Sequence, residues 1–74
     1  MKVVEIWVQL LEEGSPAIRG ANAQDLGNGQ FKIIKPADYN SEDEIWEFPP
    51  GSVVRCKKHI NFGREILLAI EKVG

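Results

Sequence analysis

Residues 42–56 constrain the fold more than any other stretch: Glu-Asp-Glu-Ile-Trp-Glu-Phe-Pro-Pro-Gly-Ser-Val-Val-Arg-Cys. Acidic residues alternate with large apolar ones from Glu44 to Phe48, the period of two that a half-buried strand requires. Pro49-Pro50-Gly51 turns the chain, and Val53 and Val54 then lead into positive charge. A strand, a turn and a second strand commit this region to β structure. They commit it to no chemistry.

The same period recurs elsewhere. In the segment Val3–Leu11, Val4, Ile6, Val8 and Leu10 point one way, and Val3, Glu5, Trp7, Gln9 and Leu11 the other. Both faces are partly apolar, so a central strand is expected. Glu12-Glu13-Gly14-Ser15-Pro16 ends it with turn chemistry. Residues Ala17–Leu26 suit a strand, and a helix also fits Ala21–Leu26. Their place between two turns favours the strand, with Gly20 marking a bulge or a close approach. Asn28-Gly29 supplies the two positive-φ residues of a type I′ hairpin turn, and Gly27 leaves room for a bulge beside it. Phe31–Lys35 reads as a third strand closed by Pro36, and Ala37–Asp43 as an acidic loop around Tyr39.

Glu44–Phe48 is a short strand with Trp46 and Phe48 on one face. Ser52–Lys58 follows, with Val54 and Cys56 opposite Val53 and Arg55, and His59–Gly63 is expected as a loop. In Arg64–Val73, strand geometry puts Ile66, Leu68 and Ile70 on one face and Leu67 and Ala69 on the other. A helix also fits Ile66, Leu67, Ile70 and Val73. Gly63 before the run, and the lack of Ser, Thr, Asp or Asn at the N-cap position, favour the strand. Six short β runs joined by tight turns predict a small antiparallel barrel of five to six strands, because closure removes the edges a flat sheet would leave.

Seventy-four residues make one domain, spanning 1–74, with a small core. At 43% apolar residues and a net charge of −2, the chain is too apolar to stay disordered. No run approaches the roughly 20 apolar residues of a membrane helix, so no membrane partner is expected. Glu5 and Gln9 interrupt the N-terminal apolar run and no small-residue cleavage site follows it, so a signal peptide is not expected. The single cysteine, Cys56, cannot form an internal disulfide and fits a reducing compartment, which makes the cytoplasm the expected location.

Charge is unevenly spread. Residues 1–50 carry nine acidic and four basic side chains, whereas residues 51–74 carry five basic and two acidic ones. The acidic segment 38–47 and the basic strand 55–58 flank the Pro-Pro-Gly turn, so the simplest expectation is that they lie side by side and neutralise each other. Projection from different faces would instead favour self-pairing or a charged partner.

No residue set carries catalysis. His59 is the only histidine, and with Cys56 it falls short of the ligands a metal site needs. Three residues apart on a strand, the two face opposite sides, so they do not form a nucleophile–base pair. Cys56 reads as a buried small hydrophobe. The carboxylates Glu12, Glu13 and Glu42 to Glu44 are adjacent in sequence and exposed, so they do not read as an acid–base site. Gly27-Asn28-Gly29 lacks the Lys-Ser/Thr and the helix of a phosphate loop. No catalytic residue, metal or cofactor is therefore expected. The candidate partner-binding residues are Trp7, which shares a face with Glu5 and Gln9, and the basic group Arg55, Lys57, Lys58 and Arg64 with Phe62 among them. A basic strand with an aromatic tip is also how small barrels hold single-stranded nucleic acid, but a pI near 5.3 opposes it.

The runs Trp7–Gly14, Gly27–Ile33 and Asp43–Cys56 together resemble a group of small uncharacterised bacterial proteins with an SH3-like barrel. The resemblance covers most of the chain, and its shared features are turns and strand patterns. It implies an all-β, SH3-like barrel and a bacterial origin, and it brings no catalytic residues. The expected function is a non-enzymatic interaction module or accessory subunit whose partner is a protein or a second copy of the chain. The alternative is a small nucleic-acid-binding barrel using residues 55–58 and Arg64.

Overall fold

The computed structural model describes residues 2–73, and every regular element in it is a strand. These are β1 (Lys2–Leu11), β2 (Ile18–Gly27), β3 (Gln30–Ile33), β4 (Ile45–Trp46), β5 (Val53–Asn61) and β6 (Arg64–Lys72). They form one sheet in the order β2-β3-β5-β6-β1-β4, and β2 pairs with β1 as well. Five strands thus close into a ring, and β4 adds to the outer end of β1 at Leu10–Trp46 and Leu11–Ile45. The chain is all-β.

Ring closure imposes one parallel contact. From β1 through β2, β3 and β5 to β6, each neighbour reverses direction. Four reversals return β6 to the direction of β1, so the seam between them is parallel, with Trp7 opposite Leu68. An odd number of strands cannot close in a wholly antiparallel ring.

The inward face follows the alternation read from the sequence. Ile6 and Val8 of β1, Ala21 and Ala23 of β2, Phe31 and Ile33 of β3, Trp46, Phe48, Val54 and Ala69 form the core. Val4, Leu10, Tyr39, Cys56 and Leu67 pack against it, half-buried. Ile6, Ile33, Val8 and Val54 are fully enclosed, and each such side chain stabilises the fold by about 1.5–3 kcal/mol relative to exposure.

Turn chemistry sets the hairpins. Asn28 and Gly29 both have positive φ, as a type I′ turn requires. Leu26 is the unmatched residue between the pairs Asp25–Phe31 and Gly27–Gln30, a bulge beside the turn, where the Gly27 N–H donates to Asp25 Oδ1 at 2.9 Å.

Three expectations need correction. Residues His59–Gly63 are not a loop. β5 runs on to Asn61, and the turn is only Phe62–Gly63, both at positive φ. The Asn61 side chain accepts the Phe62 N–H at 2.8 Å, which helps hold that turn. β3 stops at Ile33 rather than Lys35, because Ile33 exchanges its backbone bonds with Gly51 and Ser52 and Pro36 has no N–H to continue a ladder. β4 is two residues long, yet Trp46 and Phe48 are both buried as the alternation required. In β6, Leu67 and Ala69 face the core. Ile66 and Leu68 face outward and are nonetheless buried, outside the main cluster. Ile70 is unmatched between Cys56–Ala69 and Arg55–Glu71, a bulge that leaves its side chain exposed and turns Glu71 toward Arg55.

Candidate interaction surface

The β5–β6 hairpin is an arm that extends past the ring and folds back on it. Phe62 lies six residues before Leu68, about 20 Å along an extended strand. Leu68 is the residue opposite Trp7, yet the Phe62 and Trp7 ring centroids are 5.1 Å apart, tilted by 47°. The tip of the arm therefore curls over the outer face of β1. This curl accounts for the burial of the outward-facing Ile66 and Leu68.

Gly20 makes room for the latch. It sits opposite Trp7 in the β1–β2 register. A Cβ there would stand 3.3 Å from both Cη2 and Cζ2 of the indole. The close approach expected of Gly20 is this contact, and it needs the absence of a side chain rather than unusual backbone torsions. Trp7 is half-buried as a result, less open than its neighbours Glu5 and Gln9 suggest.

Beside the latch lies an open cleft of about 250 Å³ between the arm and the start of β2. Leu68, Ala17 and Ile18 give it an apolar floor, and Gln9, His59 and Asn61 contribute polar groups. His59 thus faces the cleft while Cys56 packs inward, so the two do not meet. Burial pushes the Cys56 thiol up to about 11, which keeps it protonated and unreactive at neutral pH. Among the described residues, no three His, Cys, Asp or Glu side chains converge as a metal site would need.

The bases are distributed along the arm and its root. Arg55 faces Glu71 at 3.4 Å, Lys58 faces Glu65 at 3.8 Å, and Arg64 at the tip reaches Glu5 of β1 at 3.6 Å. Lys57 has no carboxylate within ion-pair distance among the described residues. All these pairs are exposed, so each is worth well under about 1 kcal/mol. Together they tether a basic surface without cancelling its donors.

The acidic loop is not their partner, contrary to the side-by-side expectation. Arg19 of β2 takes that role: it donates to Asp38 at 2.9 Å and to Glu44, with its guanidinium 5.7 Å from the Trp46 ring centroid. Tyr39 meets the same indole edge-on at 5.1 Å. The acidic loop is thereby clamped across the ring, while the basic arm meets only exposed glutamates of β1 and β6 and leaves Lys57 without an ion-pair partner among the described residues. Arg19 was missed in the sequence because it stands alone among small residues, with nothing local to mark it as an anchor.

No helix among the described residues is long and apolar enough to cross a membrane. Comparison with protein-family models, with curated proteins and with solved structures finds no match to this chain.

Proposed function

We propose that this chain is a non-enzymatic interaction module of the cytoplasm that engages a protein partner through the β5–β6 arm. One observation carries the reading. Phe62 is 62% exposed and sits at φ 54°, in the left-handed region that disfavours an aromatic side chain. Asn or Gly would fill that turn position at lower cost. A strained, exposed aromatic at the tip of an arm is a feature expected of a contact site, where strain and apolar exposure are retained for function. Ile60, 69% exposed on the same arm, enlarges the apolar surface, and Arg55, Lys57, Lys58 and Arg64 give it a basic surround. The closed five-strand ring supports the resemblance to small bacterial proteins with SH3-like barrels.

A benzophenone side chain in place of Phe62 tests this, with the same group at Lys32 on β3 as the control. Irradiation in lysate should yield a discrete protein adduct from position 62 and none from position 32. Equal or absent adducts at both positions would refute the reading. The nucleic-acid alternative predicts instead that a single-stranded oligonucleotide binds, with an affinity that falls steeply as salt rises.

A further inference from the structure

We infer that the uncovered edge of β5, from Lys57 to Ile60, accepts an added strand from a partner protein, and that this strand is acidic. The inference rests on the interaction reading above and names the chemistry of the partner.

The edge arises from unequal strand lengths. β3 covers β5 only at Val53, Val54 and Arg55, because the Asn28–Gly29 turn ends β3 at Gln30. β5 continues to Asn61 with β6 on one side alone. Asn61 and Arg64 flank the two-residue turn, so they exchange both backbone bonds. Alternation along the ladder then directs the backbone groups of His59 and Lys57 toward β6 as well. Those of Lys58 and Ile60 point away from β6, and no backbone bond among the described residues reaches them. Two N–H and two C=O groups are left at strand spacing, the template that strand addition uses.

Charge selects the occupant. Lys57, Lys58 and His59 are consecutive and exposed, so the edge is basic on both faces. A second copy pairing antiparallel with Lys58 opposite Ile60 would crowd four lysines into one short ladder, with the two Lys58 side chains diagonal on one face and within reach of each other, an unfavourable arrangement for like charges. An acidic strand meets the opposite situation. Glutamates opposite Lys57 and Lys58 would compete with the long 3.8 Å contact to Glu65, and an apolar residue opposite Ile60 would cover it.

The test uses the intact protein and a blocked peptide, Thr-Val-Thr-Glu-Glu-Val, which in antiparallel register sets Val against Ile60 and Glu against Lys58 and Lys57. Amide hydrogen exchange is read by NMR as the peptide is added to saturation. Exchange at Lys58 and Ile60 should slow about tenfold, while Lys57 and His59, already bonded within the hairpin, change little. A control peptide with lysines in place of the glutamates should have no effect on the native protein. It should become the preferred ligand of the Lys57→Glu/Lys58→Glu variant, whose fold is checked by its amide spectrum. Unchanged exchange at Lys58 and Ile60, or an equal response to both peptides, overturns the proposal and leaves the lysines as guards against edge-to-edge aggregation. If the position-62 adduct forms while the exchange test fails, the interaction reading stands and only the edge is removed as its site.

Discussion

Replacing Trp46 with alanine should remove most of the stability of this fold. The side chain is 4% exposed and belongs to the core cluster. A Trp buries up to about 250 Å², worth about 6 kcal/mol at 25 cal/mol per Å² as an upper bound. The edge-on contact with Tyr39 and the guanidinium of Arg19 over the ring each add roughly 0.5–1 kcal/mol. In the opposite direction, the buried Nε1–H has no protein acceptor, and deleting such a group returns about 1–3 kcal/mol. Reducing the area term by about a quarter for the compact unfolded chain brings the balance to about 4 kcal/mol, within the usual range of roughly 3–5 for Trp→Ala in a core. A domain this size has a total of only about 4–11 kcal/mol. Urea unfolding followed by far-UV circular dichroism, whose backbone signal survives the loss of the indole, measures the loss. Trp46→Phe is the companion variant: it keeps the ring contacts and removes the orphan N–H, so it should cost less than half as much. A Trp46→Ala protein with an unchanged midpoint would refute the placement of Trp46 in the core.

Other expectations follow from the same contacts. Arg19→Lys should lower stability by about 1–2 kcal/mol, because an ammonium cannot bridge Asp38 and Glu44 while lying flat on Trp46, and amide exchange in residues 37–44 should quicken; unaltered exchange would show that the clamp is not made in solution. Cys56 should resist a bulky thiol reagent in the native protein and react after denaturation. Its folded pKa lies above the ordinary thiol value, so its contribution is intact below about 9 and is lost as pH rises toward about 11; Cys56→Ala should flatten that decline in melting temperature, and an unaffected slope would assign the decline elsewhere. Phe62→Gly should leave the melting temperature nearly unaltered, since about 1 kcal/mol of relieved backbone strain offsets about 1 kcal/mol of lost contact with Trp7, while partner capture by a benzophenone placed at the exposed Ile60 of the same arm should fall. Sedimentation should report a monomer at both low and high ionic strength, because Arg19 holds the acidic loop and the lysines of the basic arm repel those of a second copy.

The strands were legible where the pattern was local. Alternation in Val3–Leu11, the Asn28-Gly29 pair and the Pro-Pro-Gly turn each depend on neighbouring residues, and each predicts what is observed. The β5–β6 turn was obscured because Phe62 occupies a position where Asn or Gly is the usual marker, although Asn61 and Gly63 beside it carried part of the signal. The ends of β3 and β4 were misjudged because strand length is set by partners: Ile33 bonds to Gly51 and Ser52, which are far along the chain. The same holds for the site. Trp7, Phe62 and the bases could be named from composition and position. Their assembly could not, because the Trp7–Phe62 contact depends on the arm curling and on Gly20 leaving space in a third strand. Arg19 gave no local sign, since its partners Asp38, Glu44 and Trp46 are all distant in sequence.

The parallel seam between β1 and β6 bears on how the chain reaches this state. Its one registered pair, Trp7 with Leu68, joins the first strand to the last. The hairpins β1–β2, β2–β3 and β5–β6 can form from neighbouring segments, each closing a short loop. The seam closes the longest loop available, and loop-closure entropy makes such contacts late. On the ribosome, β1 would wait with most of one flank unpaired until β6 emerges, leaving an apolar strand open to other chains. If closure is rate-limiting, weakening the seam should slow refolding more than it speeds unfolding, which stopped-flow kinetics of a Leu68→Ala variant can measure.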